Sequence, residues 1–126
     1  MRFYVRGDRA YSRLRECPVM SVSWAYIYEH PGTDPIADRR LIDRAGQVTF
    51  LVRVPDPSVA PQVAVSLVDE GIGLIELCGG FSLAAAALVA EAVAGRVPVG
   101  HVTFAVDSVR GAAAYGAQFE QQTPDV

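Results

Sequence analysis

Gly71-Ile72-Gly73-Leu74-Ile75-Glu76-Leu77-Cys78-Gly79-Gly80-Phe81-Ser82 is the stretch that decides the fold. Its apolar run from Gly73 to Leu77 has the length of a buried strand, and an alanine-rich segment follows directly. A strand that bends at Gly79-Gly80 into a helix is the repeating unit of an α/β fold. Period 2 sets Glu76 and Cys78 on one face of that strand. A carboxylate there is costly unless it is paired, hydrogen-bonded or protonated. The helix start beside it offers free backbone N–H groups and the positive end of a dipole. A polar site is expected at this bend.

Working outward, Ser23–Tyr28 reads as a first strand and Pro31–Pro35 as a loop. Asp34-Pro35 then suggests a short helix from Ile36 to Arg44, closed by Gly46. Gln47–Val54 alternates like a second strand. Asp56 or Ser58 caps a helix to about Glu70, which Gly71 ends. After the Leu74–Cys78 strand, Ser82 opens a helix that Gly95 stops. Val97–Val106 reads as a fourth strand, with Pro98 tolerated near its start. Asp107 or Ser108 then caps a last helix that frays near Gly116. Strands joined by helices imply right-handed crossovers. The expected fold is therefore a single α/β domain with a four-stranded, mainly parallel sheet, either half-barrel-like or an open layered sandwich. It occupies residues 20–117, between a basic arm (1–19) and a tail (118–126).

Sorting each strand by parity separates its polar from its apolar residues. Glu29, Arg53, Glu76, Cys78 and His101 each fall on the more polar side of their own strand. If those sides coincide, the five converge near the C-terminal ends of the strands, where open α/β sheets bind ligands. Glu76 would then act as general acid or base with His101 as proton partner. Arg53 would clamp an anion, Glu29 and Phe81 would line the pocket, and the amides of Gly79, Gly80 and Ser82 would stabilise negative charge. Cys78 is a second nucleophile candidate beside the helix start, with His101 as base. The same residues also admit a structural reading, with Glu76–Arg53 as an ion pair and His101 as a hydrogen-bonded core histidine.

Composition bounds the rest. The chain has 126 residues, a net charge of −3, 51% hydrophobic residues, no lysine and no asparagine. All basic residues being arginine fits a GC-rich coding bias of the kind found in actinobacterial biosynthetic genes. Lysine Schiff-base and Walker-type chemistry are excluded. Nucleic acid is not an expected partner at this charge, and no apolar run reaches the ~20 residues of a membrane span. The polar start argues against a signal peptide and for a cytoplasmic location. Cys17 and Cys78 lack metal or disulfide spacing. Glu29 and His30 point to opposite faces, so no metal is expected, and no dinucleotide fingerprint or other cofactor motif is present. The high apolar fraction points to a homo-oligomer.

Ala25–Pro35, Leu67–Phe81 and Val97–His101 together resemble the DUF6506 family of short, uncharacterised bacterial proteins. The Glu76-Leu77-Cys78-Gly79-Gly80-Phe81 run is the most specific part of the resemblance, which spans roughly Met20 to Val109. The resemblance implies that Pro31, Gly32, Asp34, Glu70, Gly71, Glu76, Cys78, Gly79, Gly80, Pro98 and Gly100 recur and that His101 varies. It implies no activity. Three functions stay open: a cofactor-independent isomerase, lyase or cyclase acting on a small polar or anionic metabolite, a non-catalytic small-anion binding module, and a structural or oligomerisation protein.

Overall fold

The computed structural model describes residues 22–122. The readings made for the 1–19 arm and for residues 123–126 lie outside the described residues. Five strands form one sheet: β1 (Val22–Glu29), β2 (Arg40–Arg44), β3 (Gln47–Val54), β4 (Ile75–Leu77) and β5 (Val99–His101). Their spatial order is β2-β3-β1-β4-β5. Four run parallel, and β2 pairs antiparallel with β3 at one edge. The helices are α1 (Ala60–Asp69), α2 (Leu83–Val93) and α3 (Val109–Gln122).

Of the two architectures expected, the open layered sheet is the one formed, with a fifth strand. The segment read as a helix over Ile36–Arg44 ends in β2. The hairpin β2–β3 turns on two residues, Ala45 (φ 54°) and Gly46 (φ 80°), both left-handed. Two consecutive left-handed residues make the turn whose twist suits a β-hairpin. Arg40, Asp43 and Arg44 keep this edge charged, which discourages further pairing. At the other edge β5 has only three residues, against the ten expected from Val97 to Val106. α3 runs on past Gly116 to Gln122, through the first part of the expected tail.

Local chemistry explains the helix ends. Asp56 accepts the Ser58 amide at 2.9 Å, starting the 3-10 turn (Pro57–Val59) that leads into α1. Ser82 Oγ accepts the Ala85 amide at 3.0 Å and opens α2. Left-handed Ala94 ends it.

Topology then decides which face is covered. The crossovers β3-α1-β4 and β4-α2-β5 step across the sheet in the same direction. Right-handed connections of one direction lay their helices on one face. The only step the other way, β1 to the edge strand β2, is made by the helix-free loop 30–39, and the β2–β3 hairpin then returns within the plane of the sheet. The covered face holds Ala25, Ile27, Val52, Val54, Ile75 and Leu77, all fully buried against Ala60, Ala64 and Leu67 of α1 and Val89 and Val93 of α2. At its margin Arg39 lies over the Phe50 ring, 5.3 Å from the centroid, and pairs with Glu70 at 3.1 Å. Among the described residues, α3 packs chiefly on the 3-10 turn (Val106–Ser108) that precedes it.

Candidate functional site

Register, not parity alone, assigns side chains to faces. Tyr26 pairs with Leu51 and with Glu76, and Glu76 pairs with Gly100. Tyr28 pairs with Arg53, and the ladder of β1 and β4 continues through Cys78 N–H, which donates to the Ile27 carbonyl at 3.1 Å. The uncovered face therefore carries Trp24, Tyr26, Tyr28, Arg53, Glu76 and Cys78. Leu77 pairs with His101, and Ile27 pairs with both Val52 and Leu77. His101 thus sits on the covered side, and Glu29 shares the parity of Ile27. The expected convergence of five ionisable groups is not formed: Arg53, Glu76 and Cys78 share a face, and His101 and Glu29 lie on the other.

His101 has a definite place there. Its Nε2–H donates to the Phe81 carbonyl at 2.9 Å, tying the edge strand to the bend between β4 and α2. Glu29 has its carboxyl pushed above the ordinary value by burial and then by the Asp56 carboxylate. Neither reaches Glu76. No Glu76–Arg53 ion pair forms either. Arg53 donates instead to the Asp38 carbonyl and lies over the Tyr28 ring, 5.6 Å from its centroid.

The bend itself is closed tightly. A Cβ on Gly79 would stand 2.9 Å from the exposed Phe104 ring and 3.3 Å from the Val102 carbonyl, so the ring would have to shift to admit one. Phe81 N–H donates to the Cys78 carbonyl at 3.1 Å, and Ser82 takes the Ala85 amide. Within the bend the Phe81 amide is thus already bonded, and the Ser82 hydroxyl is taken as a helix cap.

On the uncovered face, Glu76 lines an open groove of about 520 Å³ with Trp24, Leu74, Gln47, Gly71 and Gly73. It has no hydrogen-bond or ion-pair partner among the described residues. Gly100 leaves room over the neighbouring strand, its position for a Cβ lying 3.7 Å from Glu76 Cγ. Tyr26 stands beside Glu76 and stacks on Tyr28 at 5.8 Å. Its hydroxyl pKa is raised by burial, then by nearby Cys78, Glu76 and Tyr28. Further along the same face, Tyr28, His30, Thr33, Asp38 and Arg53 surround a cavity of about 360 Å³.

The tyrosines are what the sequence reasoning missed. Strand one set Trp24, Tyr26 and Tyr28 apart as an aromatic side, which reads as core. Two phenol hydroxyls on one strand face were the available sign that this side meets water. Among the described residues, no group of three or more His, Cys, Asp or Glu could hold a metal. Among the same residues no helix is long and apolar enough to cross a membrane.

Fold and face together define a small two-layer α/β domain whose polar and aromatic groups gather on the uncovered side of a mostly parallel sheet. The chain belongs to the family described as a family of unknown function, DUF6506, whose model matches residues 22–117. No curated protein and no solved structure matches it.

Proposed function

We propose that the chain is a cofactor-independent enzyme that performs acid–base chemistry, of isomerase, lyase or cyclase type, on a small polar or anionic metabolite held on the uncovered face. The observation that carries this reading is Glu76. Among the described residues it is a carboxylate without a hydrogen-bond or ion-pair partner, lining a groove, with Tyr26 paired alongside. An acid–base step needs a proton acceptor and a donor within reach of one substrate. Glu76, as carboxylate, would accept the proton. Tyr26, whose raised pKa keeps its phenol protonated at neutral pH, would donate a hydrogen bond to the oxygen where negative charge develops. Trp24 would supply an apolar wall for the carbon skeleton. Arg53, held by Asp38 and Tyr28, keeps N–H donors to spare for a carboxylate at the far end. Cys78 lies on this face without His101, so the cysteine–histidine pairing loses its base.

Thermal-shift screening with small carboxylates and oxo acids would find a ligand, and proton NMR would follow its conversion. Glu76→Gln should melt as the native chain does, yet lose about 10²–10⁴ in turnover. Full turnover by that variant would overturn the assignment. The cavity around Arg53 favours a second reading, a non-catalytic binding module for a small anion. Stabilisation without conversion, abolished by Arg53→Ala and kept by Glu76→Gln, would select it.

A further inference from the structure

The two edges of the sheet are built differently. β2 carries Arg40, Asp43 and Arg44, whereas β5, Val99-Gly100-His101, carries no carboxylate or guanidinium. The proline beside it does not blunt it either. Ile75 N–H donates to the Pro98 carbonyl at 3.0 Å and Val102 N–H donates to the Leu77 carbonyl at 2.9 Å, so the backbone of Pro98 and Val102 faces β4. Gly100, paired with Glu76, faces it too. Backbone groups alternate sides along a strand, so the N–H and C=O of Val99 and His101 point outward. Among the described residues these groups have no partner there. The N–H that Pro98 lacks would have lain on the inner side, which leaves the outer row whole.

A second observation comes from the helix above this edge. α2 packs on β5 and on α1. Of its residues 83–93 only Glu91 is polar. A helix apolar nearly all round is normally buried on every side. Val89 and Val93 do face the core, but Leu83 is 78% exposed, and Ala87 and Ala90 are exposed with it. With Val89 and Val93 turned to the sheet, 100° per residue and a right-handed crossover set Leu83, Ala87 and Ala90 on the flank away from α1. That flank overlooks the β5 edge.

We propose that the β5 edge and this flank of α2 form one interface, at which two copies of the chain join antiparallel, β5 to β5, about a two-fold axis perpendicular to the sheet. Gly100 then faces Gly100, and Val99 and His101 of each copy exchange both backbone hydrogen bonds with His101 and Val99 of the other. The two sheets become one. The same axis keeps α2 of both copies in one layer, running antiparallel. Strands ~4.8 Å apart, with α2 above β4 and β5, set the two α2 axes roughly 10 Å apart, a distance at which helices pack. This match decides the partner. A lone extended peptide would satisfy the edge and leave α2 in water, whereas a second copy brings strand and helix at matching height. The interface is small, so the dimer is expected to dissociate on dilution, with a Kd on the order of micromolar. Glu76, Tyr26 and Arg53 take no part, so the dimer stands or falls apart from the catalytic proposal.

Sedimentation equilibrium of the full chain, over a wide range of concentrations, should show the mass rise from 13.5 kDa towards twice that value. Ala90→Arg should raise the dissociation constant about tenfold or more, because each copy would press a charge into the apolar flank of the other. Ala87→Arg is a second probe of the same flank, and circular dichroism would report that both variants keep the fold. Leu88→Arg, on the opposite flank of α2, should leave association unchanged. Amide hydrogen exchange gives the sharper test. The Val99 and His101 amides should be protected at high concentration and exchange freely on dilution or in Ala90→Arg, while the Gly100 amide, bonded within its own sheet, stays protected throughout. A monomer at every concentration would overturn the proposal. So would a dimer in which the Val99 and His101 amides exchange as freely as in the monomer, or one broken by Leu88→Arg and indifferent to Ala90→Arg.

Discussion

Leu77 and Glu76 are consecutive residues of one short strand, and they meet different surroundings. Leu77 is fully buried beneath the helices, whereas Glu76 borders an open groove. The difference comes from connectivity. Two crossovers in the same direction put both helices on the Leu77 side, and the one opposite step, β1 to β2, is a loop that brings no helix. Stability is thus concentrated on one face and free chemistry on the other. The largest test of that division is a pair of truncations. Leu77→Ala should cost about 2–5 kcal/mol by removing buried contacts and leaving a cavity. Glu76→Ala should change stability by less than about 0.5 kcal/mol. Urea unfolding of both variants would decide it, and equal losses would mean that something seals the groove.

The bend between the faces supplies the next test. Gly79→Ala pushes a methyl into the Phe104 ring, at an expected cost of about 1–3 kcal/mol. Combining it with Phe104→Ala should recover part of that cost in a double-mutant cycle. Additive effects would show that the ring does not rest on the glycine. A smaller loss, about 1 kcal/mol, is expected for His101→Ala, which frees the Phe81 carbonyl. If His101 instead served the proposed chemistry, its removal would abolish turnover at unchanged stability, and the two-faced division would fail.

Much of this architecture was legible in the sequence. Ser82, Asp56, Gly71 and Gly95 marked helix ends, and strands β1, β3 and β4 stood where alternation put them. Two things were not. The hairpin strand β2 has its apolar residues adjacent, Leu41-Ile42, and its turn uses Ala45 where asparagine or aspartate usually announces left-handed backbone. Without that signal Arg40–Arg44 has no strand signature. The second is phase. Parity sorts one strand correctly by itself, but a shift of one residue between strands exchanges the faces. Glu76 was rightly placed with Cys78, and Arg53 joins them. The pairing of Leu77 with His101 sends the histidine to the helices, and the pairing of Tyr26 with Glu76 brings the aromatics to the open side. Only hydrogen-bonded register carries that information.

The smallest expected effect lies in acid titration, where two carboxyls at the same end of the sheet oppose one another. Asp34 has its pKa lowered from 3.8, because its carboxylate accepts the Ala37 and Ile36 amides at 2.8 and 3.0 Å. A depressed folded pKa gives stability that is present above 3.8 and lost as pH falls through the lower folded value. Asp56, lowered by its bonds from Ser58, adds to the same limb. Glu29 runs the other way. Its pKa is raised from 4.5, so its contribution is fully present below 4.5 and disappears as pH rises through the folded value. Asp34→Asn should therefore flatten the loss of stability on acidification, whereas Glu29→Gln should remove the loss that Glu29 contributes on going from acid to neutral pH. Urea midpoints measured across the acid range would resolve the two. A Glu29→Gln chain whose midpoint follows the native one above 4.5 would mean that neither desolvation nor the Asp56 carboxylate perturbs Glu29.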